Sequence, residues 1–139
     1  MNDVIINKLS TIARCLLRIR DVYAQAGSDF SIDYTKQDSV ILNLQRACEA
    51  TIDVANYINK IKKTGIPQSS KDSFELLKKH GVLSERVSNS LKKMIGLRNI
   101  AVHDYQELNI DIVKHVIENH LTDFEDFIKE VKSLAITLN

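Results

Sequence analysis

The chain has 139 residues, 44% apolar and 27% charged, enough to bury the core of one domain spanning residues 1–139 without disulfides or metal. Its formal charge is only +1, but residues 1–103 hold 16 Lys/Arg against 10 Asp/Glu while residues 109–139 hold 3 against 6, so an anionic partner would favour the first part. The start is polar and charged, and no apolar run approaches the ~20 residues of a membrane span, so neither a signal peptide nor a membrane helix is expected.

From Val4 to about Tyr23, apolar residues at Ile5, Leu9, Ile12, Leu16, Ile19 and Tyr23 step by four and three, the stripe of an amphipathic helix that should stop before Gly27. Lys8, Arg14, Arg18 and Arg20 lie off that stripe, as a solvated face or as part of a phosphate-facing patch. Cys15 here and Cys48 in the next helix lack CxxC spacing and read as reduced, packed thiols of a cytoplasmic protein. Thr35 followed by Asp38 reads as the cap and first-turn acid of a second helix running to about Lys63. Its stripe, Ile41, Leu44, Cys48, Thr51, Ala55 and Ile58, is narrow and small in the middle, which admits a close neighbour. Arg46, Glu49 and Asp53 lie off the stripe at spacings that suit surface ion pairs along one helix.

Gly65 and the single proline, Pro67, break the pattern, and Ser69 and Ser70 suit a new start. A short helix from about Lys71 to His80 buries Phe74, Leu76 and Leu77 and closes at Gly81, where His80 meets the helix dipole favourably. Ser84 then caps a helix from Glu85 to about Val102. At 100° per residue, Val87, Ile95 and Val102 fall within about 40° of Leu91, and Arg98 within about 20°, so a long cation occupies the centre of a packing stripe. That placement is costly unless the guanidinium is paired or the stripe opens into a cleft. Leu97 and Ile100 lie on the opposite side and suit a second subunit. Asn109 caps a final long helix whose stripe runs Ile110, Val113, Ile117, His120, Phe124, Phe127, Val131, Leu134 and Leu138, with His120 read as a core histidine. The expectation is an all-α, up-down four-helix bundle with one extra short helix.

Four scattered glycines form no phosphate loop, and HExxH is missing. Asp111, His115 and Glu118 share a helix face at i, i+4 and i+7 and could hold a divalent ion, but ordinary surface roles outweigh that reading, so no metal or cofactor is expected. The stretch Gly96 to Tyr105 differs. Asn99 and His103 are i, i+4 neighbours, so the amide can brace the imidazole, the side chain whose ordinary titration lies near neutrality. Arg98 and His103 project about 140° apart on a continuous helix, so they serve one site only if the helix ends near Val102 or two chains build it. Beyond His103, an extended chain would return Tyr105 to the same side. Imidazole beside guanidinium suits phosphodiester cleavage: His103 moves the proton of a ribose 2′-OH or of the leaving oxygen, and Arg98 stabilises the crowded phosphorane.

Arg98-Asn99-Ile100-Ala101-Val102-His103-Asp104-Tyr105 resembles the R-x4-6-H motif of HEPN-domain ribonucleases, in the R-x4-H-x-Y form of the HepT toxins, and the similarity extends to residues 43–50, 65–70 and 72–77. The resemblance implies a homodimer joined through the motif-bearing helices, with both motif copies lining a basic cleft, and metal-independent cleavage of RNA, either tRNA or mRNA. It makes Arg98 and His103 the catalytic pair, with Asn99 in support. It further implies a type VII toxin-antitoxin pair in which a minimal nucleotidyltransferase (MNT) antitoxin silences the toxin by transferring AMP to the motif tyrosine, here Tyr105. The alternative within the same resemblance is a non-catalytic helical adaptor presenting substrate or nucleic acid to a nucleotidyltransferase. The parts of Arg14, Arg18 and Arg46 in RNA or partner binding stay open.

Overall fold

The computed structural model describes residues 2–138, with side chains through Leu134, and among these there are six α-helices and no strand. The first, α1 (Asp3–Ala26), begins where the Asn2 side chain accepts the Val4 N–H, and ends at Gly27, whose φ of 56° lies where a side chain is disfavoured. Its stripe is buried as the periodicity requires, with Cys15 included. A 3-10 turn over residues 27–29 leads to α2 (Tyr34–Lys62), which is capped by Asp33 accepting the Lys36 N–H. The expected cap, Thr35, lies inside the helix: Asp33 sits in the non-helical position where a carboxylate can reach back over the first turn. Ala47, Ala50 and Ala55 are buried in the middle of α2, and α1 packs antiparallel against it, with Lys8 reaching Asp53 at 2.9 Å and the Asn2 amide donating to the Tyr57 hydroxyl at 2.6 Å.

The short α3 (Ser70–Lys79) is capped by Ser69, which accepts the Asp72 N–H, and the His80 imidazole meets the Leu76 carbonyl at its end. Phe74 and Leu77 are buried and Leu76 is half-buried. The buried Asn59 amide donates to the Ser73 carbonyl at 3.0 Å and to its Oγ at 2.9 Å, which fixes α3 against α2. Next, α4 (Glu85–His103) starts on the Ser84 cap and runs antiparallel to α2.

The expected single last helix is two, α5 (Ile110–Asn119) and α6 (Leu121–Leu138), parted at His120, whose φ of −125° and ψ of 0° leave the helical region. Asn119 donates its side-chain amide to the His115 carbonyl at 3.0 Å and so competes for an acceptor of its own helix. The His120 ring contacts the Asp123 carboxylate at 3.1 Å. His120 is therefore half-exposed at the joint rather than in the core. One irregular residue barely disturbs the apolar stripe, so Val113, Ile117, Phe124, Phe127 and Val131 are all buried as the periodicity demands. Leu138, expected on that stripe, lies outside the described side chains. Arg86 to Asp126 and Ser84 to Glu130 set α6 antiparallel to α4, Arg20 to Glu125 ties it to α1, and Phe74 meets Phe127 edge-on at 6.2 Å in the shared core. No described helix is long and apolar enough to cross a membrane.

Candidate functional site at the end of the fourth helix

The residues singled out in the sequence gather where the last turns of α4, the turn after it and the middle of α2 meet. Arg98 keeps its stripe position: its side chain is only 15% exposed and lies along a narrow crevice lined by Ile41, Cys48, Met94, Leu97 and Ala101. Nη1 stands 3.4 Å from Glu49 Oε1, an ion pair too long for a good hydrogen bond, and Nε is buried without a hydrogen-bond partner among the described residues. A buried donor left unmade costs about 1–3 kcal/mol. The guanidinium is thus held in place by α2 with much of its donor capacity unused. The spacing of Glu49 and Asp53 suits pairing within their own helix, but both find partners on other helices, Arg98 on α4 and Lys8 on α1. Burial pushes the neighbouring Cys48 thiol up to about 12, against the smaller opposing pull of Arg98, so both cysteines are free, buried and inert.

The helix ends one residue beyond Val102. It continues through His103, so the 140° separation from Arg98 stands, and Arg98 turns inward onto α2 while His103 is exposed in the final turn. Asn99 is also exposed and makes no hydrogen bond to His103, so the expected brace is absent among the described residues; in a solvated last turn water competes for both groups. Val102, expected in the core stripe, is 42% exposed, and Ile100 is 43% exposed, so the end of α4 presents apolar side chains to solvent where its beginning buries them.

Asp104 ends the helix with φ −151° and ψ 61°, its N–H still bonded to the Ile100 carbonyl at 2.8 Å, and residues 105–107 form a 3-10 turn. The chain after His103 is therefore not extended, and Tyr105 does not follow His103 in the way an alternating strand would. It folds back toward the second turn of α2, where its hydroxyl donates to the Asp38 carboxylate. Burial first, then this hydrogen bond and the negative charge of Asp38, push the Tyr105 phenol up to about 12, so it is a neutral donor at physiological pH. The ring remains 46% exposed. Nothing local in the sequence marks Asp38 or Glu49 as partners of the motif; each reads as an ordinary helix acid until α2 and α4 are packed together.

The weak metal constellation is otherwise engaged. Glu118 accepts the Tyr23 hydroxyl, His115 Nδ1 lies 3.1 Å from the Asn119 amide, and among the described residues no three of His, Cys, Asp or Glu stand where one ion could be held.

A model of the family described as Ribonuclease HepT-like matches residues 12–131. The mRNA nuclease HepT of Shewanella oneidensis is 62% identical over 133 residues, covering 96% of this chain and 99% of that protein. The tRNA nuclease HepT of Aphanizomenon flos-aquae is 24% identical over 135 residues, 97% of this chain and 92% of that one. Among solved structures, the tri-AMPylated Shewanella oneidensis HEPN toxin in complex with MNT antitoxin superposes with a TM-score of 0.92 at 61% identity, covering 96% of this chain and 99% of that one. A cytosolic protein of unknown function, YutE from Bacillus subtilis, shares the fold at a TM-score of 0.82 and 21% identity, covering 96% and 89%. With its R-x4-H-x-Y stretch at the mouth of the α2–α4 crevice, the chain belongs to the HepT-like HEPN ribonuclease toxins.

Proposed function

We propose that this protein is the endoribonuclease toxin of a HEPN/MNT toxin-antitoxin pair, that it acts as a homodimer on RNA, and that Arg98 of one subunit works with His103 of the other. The observation that carries the reading is Arg98 itself: a guanidinium almost withdrawn from solvent, loosely paired with Glu49 and with a donor unspent, suits an anion. The 140° divergence along a continuous α4 argues against one chain supplying both groups, and exposed Ile100 and Val102 offer apolar surface for a second copy.

In this reading His103 removes the proton of a ribose 2′-hydroxyl, the oxygen attacks the adjacent phosphorus, and the P–O5′ bond breaks, the departing oxygen taking a proton from water, to leave a 2′,3′-cyclic phosphate and a 5′-hydroxyl. Arg98 neutralises the charge gathering on the phosphorane oxygens, an effect worth roughly 10²–10³ in rate for a single such donor. No protein-bound metal takes part, so cleavage persists in chelator. The Shewanella toxin is AMPylated in complex with its antitoxin, and in this chain Tyr105 is the acceptor: its oxygen bonds to the α-phosphorus of ATP, pyrophosphate leaves, and Asp38, which accepts the hydrogen bond of that hydroxyl, takes the phenolic proton. The added phosphate repels RNA from the neighbouring motif.

The test is cleavage of cellular RNA by the purified chain, before and after incubation with the cognate nucleotidyltransferase and ATP. Cleavage lost in Arg98→Ala and silenced by AMP on Tyr105 supports the reading. A folded protein that cuts no RNA, or AMP found on another residue, contradicts the corresponding part.

A further inference from the structure

Four cations lie off the buried stripe of α1, and the structure separates them into two kinds. Lys8 and Arg20 are neutralised by Asp53 and Glu125. Arg14 bonds only the Thr11 hydroxyl, at 3.3 Å, and Arg18 has no acidic partner among the described residues. These two, four residues apart on one face, line an open groove of about 500 Å³ between α1 and α2. Across it stand Ser39, Asn43 and Arg46, which share a face of α2 at i, i+4 and i+7, and Arg46 likewise has no acidic partner among the described residues. No described acid lines the groove. Arg14 and Arg46 come close enough to Cys15, on its floor, for both charges to act on that thiol.

Three exposed guanidinia converging without a counter-charge among the described residues, with hydroxyl and amide groups between them, form a surface suited to an anion. The position of the groove indicates which one. The same helix α2 presents Asp38, Gln45 and Glu49 toward Tyr105 and Arg98, and on its adjoining face Ser39 and Arg46 toward the groove. Arg46 and Glu49 differ by about 60° around α2 and about 4.5 Å along it. A strand whose cleaved phosphate rested at Arg98 would pass onto the groove within a nucleotide or two. We propose that the α1–α2 groove holds the phosphodiester backbone of the RNA next to the cleaved bond, through Arg14, Arg18 and Arg46. The proposal rests on the reading of the chain as a ribonuclease. No described aromatic side chain lines the groove, so bases are not stacked there and the grip is independent of sequence.

The experiment measures binding of the full-length chain to a labelled single-stranded RNA carrying 2′-O-methyl groups, which cannot be cleaved, across a range of salt. Each of Arg14→Gln, Arg18→Gln and Arg46→Gln should flatten the dependence of log Kd on log salt by about 0.7, and the triple variant by about 2. Arg86→Gln, which removes an arginine paired with Asp126 on the α4–α6 face, should leave the slope unchanged. Circular dichroism checks that every variant is folded, and the single variants stand in if the triple one is not. Wild-type slopes in the groove variants overturn the proposal, as does an equal loss in Arg86→Gln, which would mean diffuse attraction. Unchanged RNA binding with lost affinity for the nucleotidyltransferase also overturns it and assigns the groove to an acidic protein surface. A wild-type chain that binds RNA through these arginines but cuts none keeps the groove and ends the ribonuclease reading; one that cuts RNA with a slope indifferent to them does the reverse.

Discussion

The two ends of α4 are built on opposite terms. Its first half is tied on every side: Ser84 to Glu130, Arg86 to Asp126, the Ser88 hydroxyl to the Phe74 carbonyl, Lys92 to Glu75, with Val87, Leu91 and Ile95 wholly buried between. Its last half carries a buried cation with one loose partner, an unbraced exposed asparagine and histidine, and apolar side chains facing water. Within one helix the first part does the holding and the second is left unfinished, as expected where a substrate and a second subunit must complete the structure.

Substitutions at matched positions should separate the two halves most sharply. His103→Ala should lower kcat for RNA by about 10²–10⁴ with no change in melting temperature, since the side chain is exposed and has no partner among the described residues. Leu91→Ala, three turns earlier, should cost about 2–5 kcal/mol of stability in a denaturant titration. If His103→Ala unfolds the protein, the contrast is false.

Arg98 offers a finer distinction. Methionine keeps the aliphatic stem in the crevice and removes the unmet donor and the charge, so Arg98→Met should abolish cleavage while leaving stability unchanged or raised by about 1 kcal/mol. A marked loss of stability would make the Glu49 pair a structural link instead.

Smaller effects follow from titration. Tyr105 and Tyr23 are each pushed up to about 12, so in an alkaline absorbance titration these two tyrosines should ionise late, and Asp38→Asn should return Tyr105 toward its ordinary 10. Because the folded value exceeds the unfolded one, the Tyr105 contribution to stability is complete below about pH 10 and is lost as pH rises through about 12. In the tied half the sign is reversed. Lys92 first, then Lys78, hold the Glu75 carboxyl down to about 2, so its contribution is present above its ordinary 4.5 and is lost as pH falls toward 2. Glu75→Gln should flatten the acid limb of stability against pH; an unaltered limb would show that the pair contributes nothing.

The helical periods were legible in the sequence because burial enforces them: the stripes of α1, α2 and the first part of α4 are the buried residues. Arg98 was legible for the same reason, as a residue that violates the pattern of its neighbours. The break at His120 was not, because one irregular residue leaves the stripe in phase. Asp33, not Thr35, caps α2: both are good capping residue types, and only backbone geometry decides between them. Glu49 and Asp38 were invisible as site residues, since nothing in a helix's own sequence states which other helix its acids will face.

The central claim is that one working site takes its arginine from one chain and its histidine from another. Arg98→Ala and His103→Ala proteins should each be inactive alone. Unfolded together and refolded as a mixture, they should regain about a quarter of wild-type RNA cleavage, because half the dimers are mixed and each mixed dimer holds one site with both residues intact. A mixture as inactive as its components would place both residues in a single chain and contradict the account.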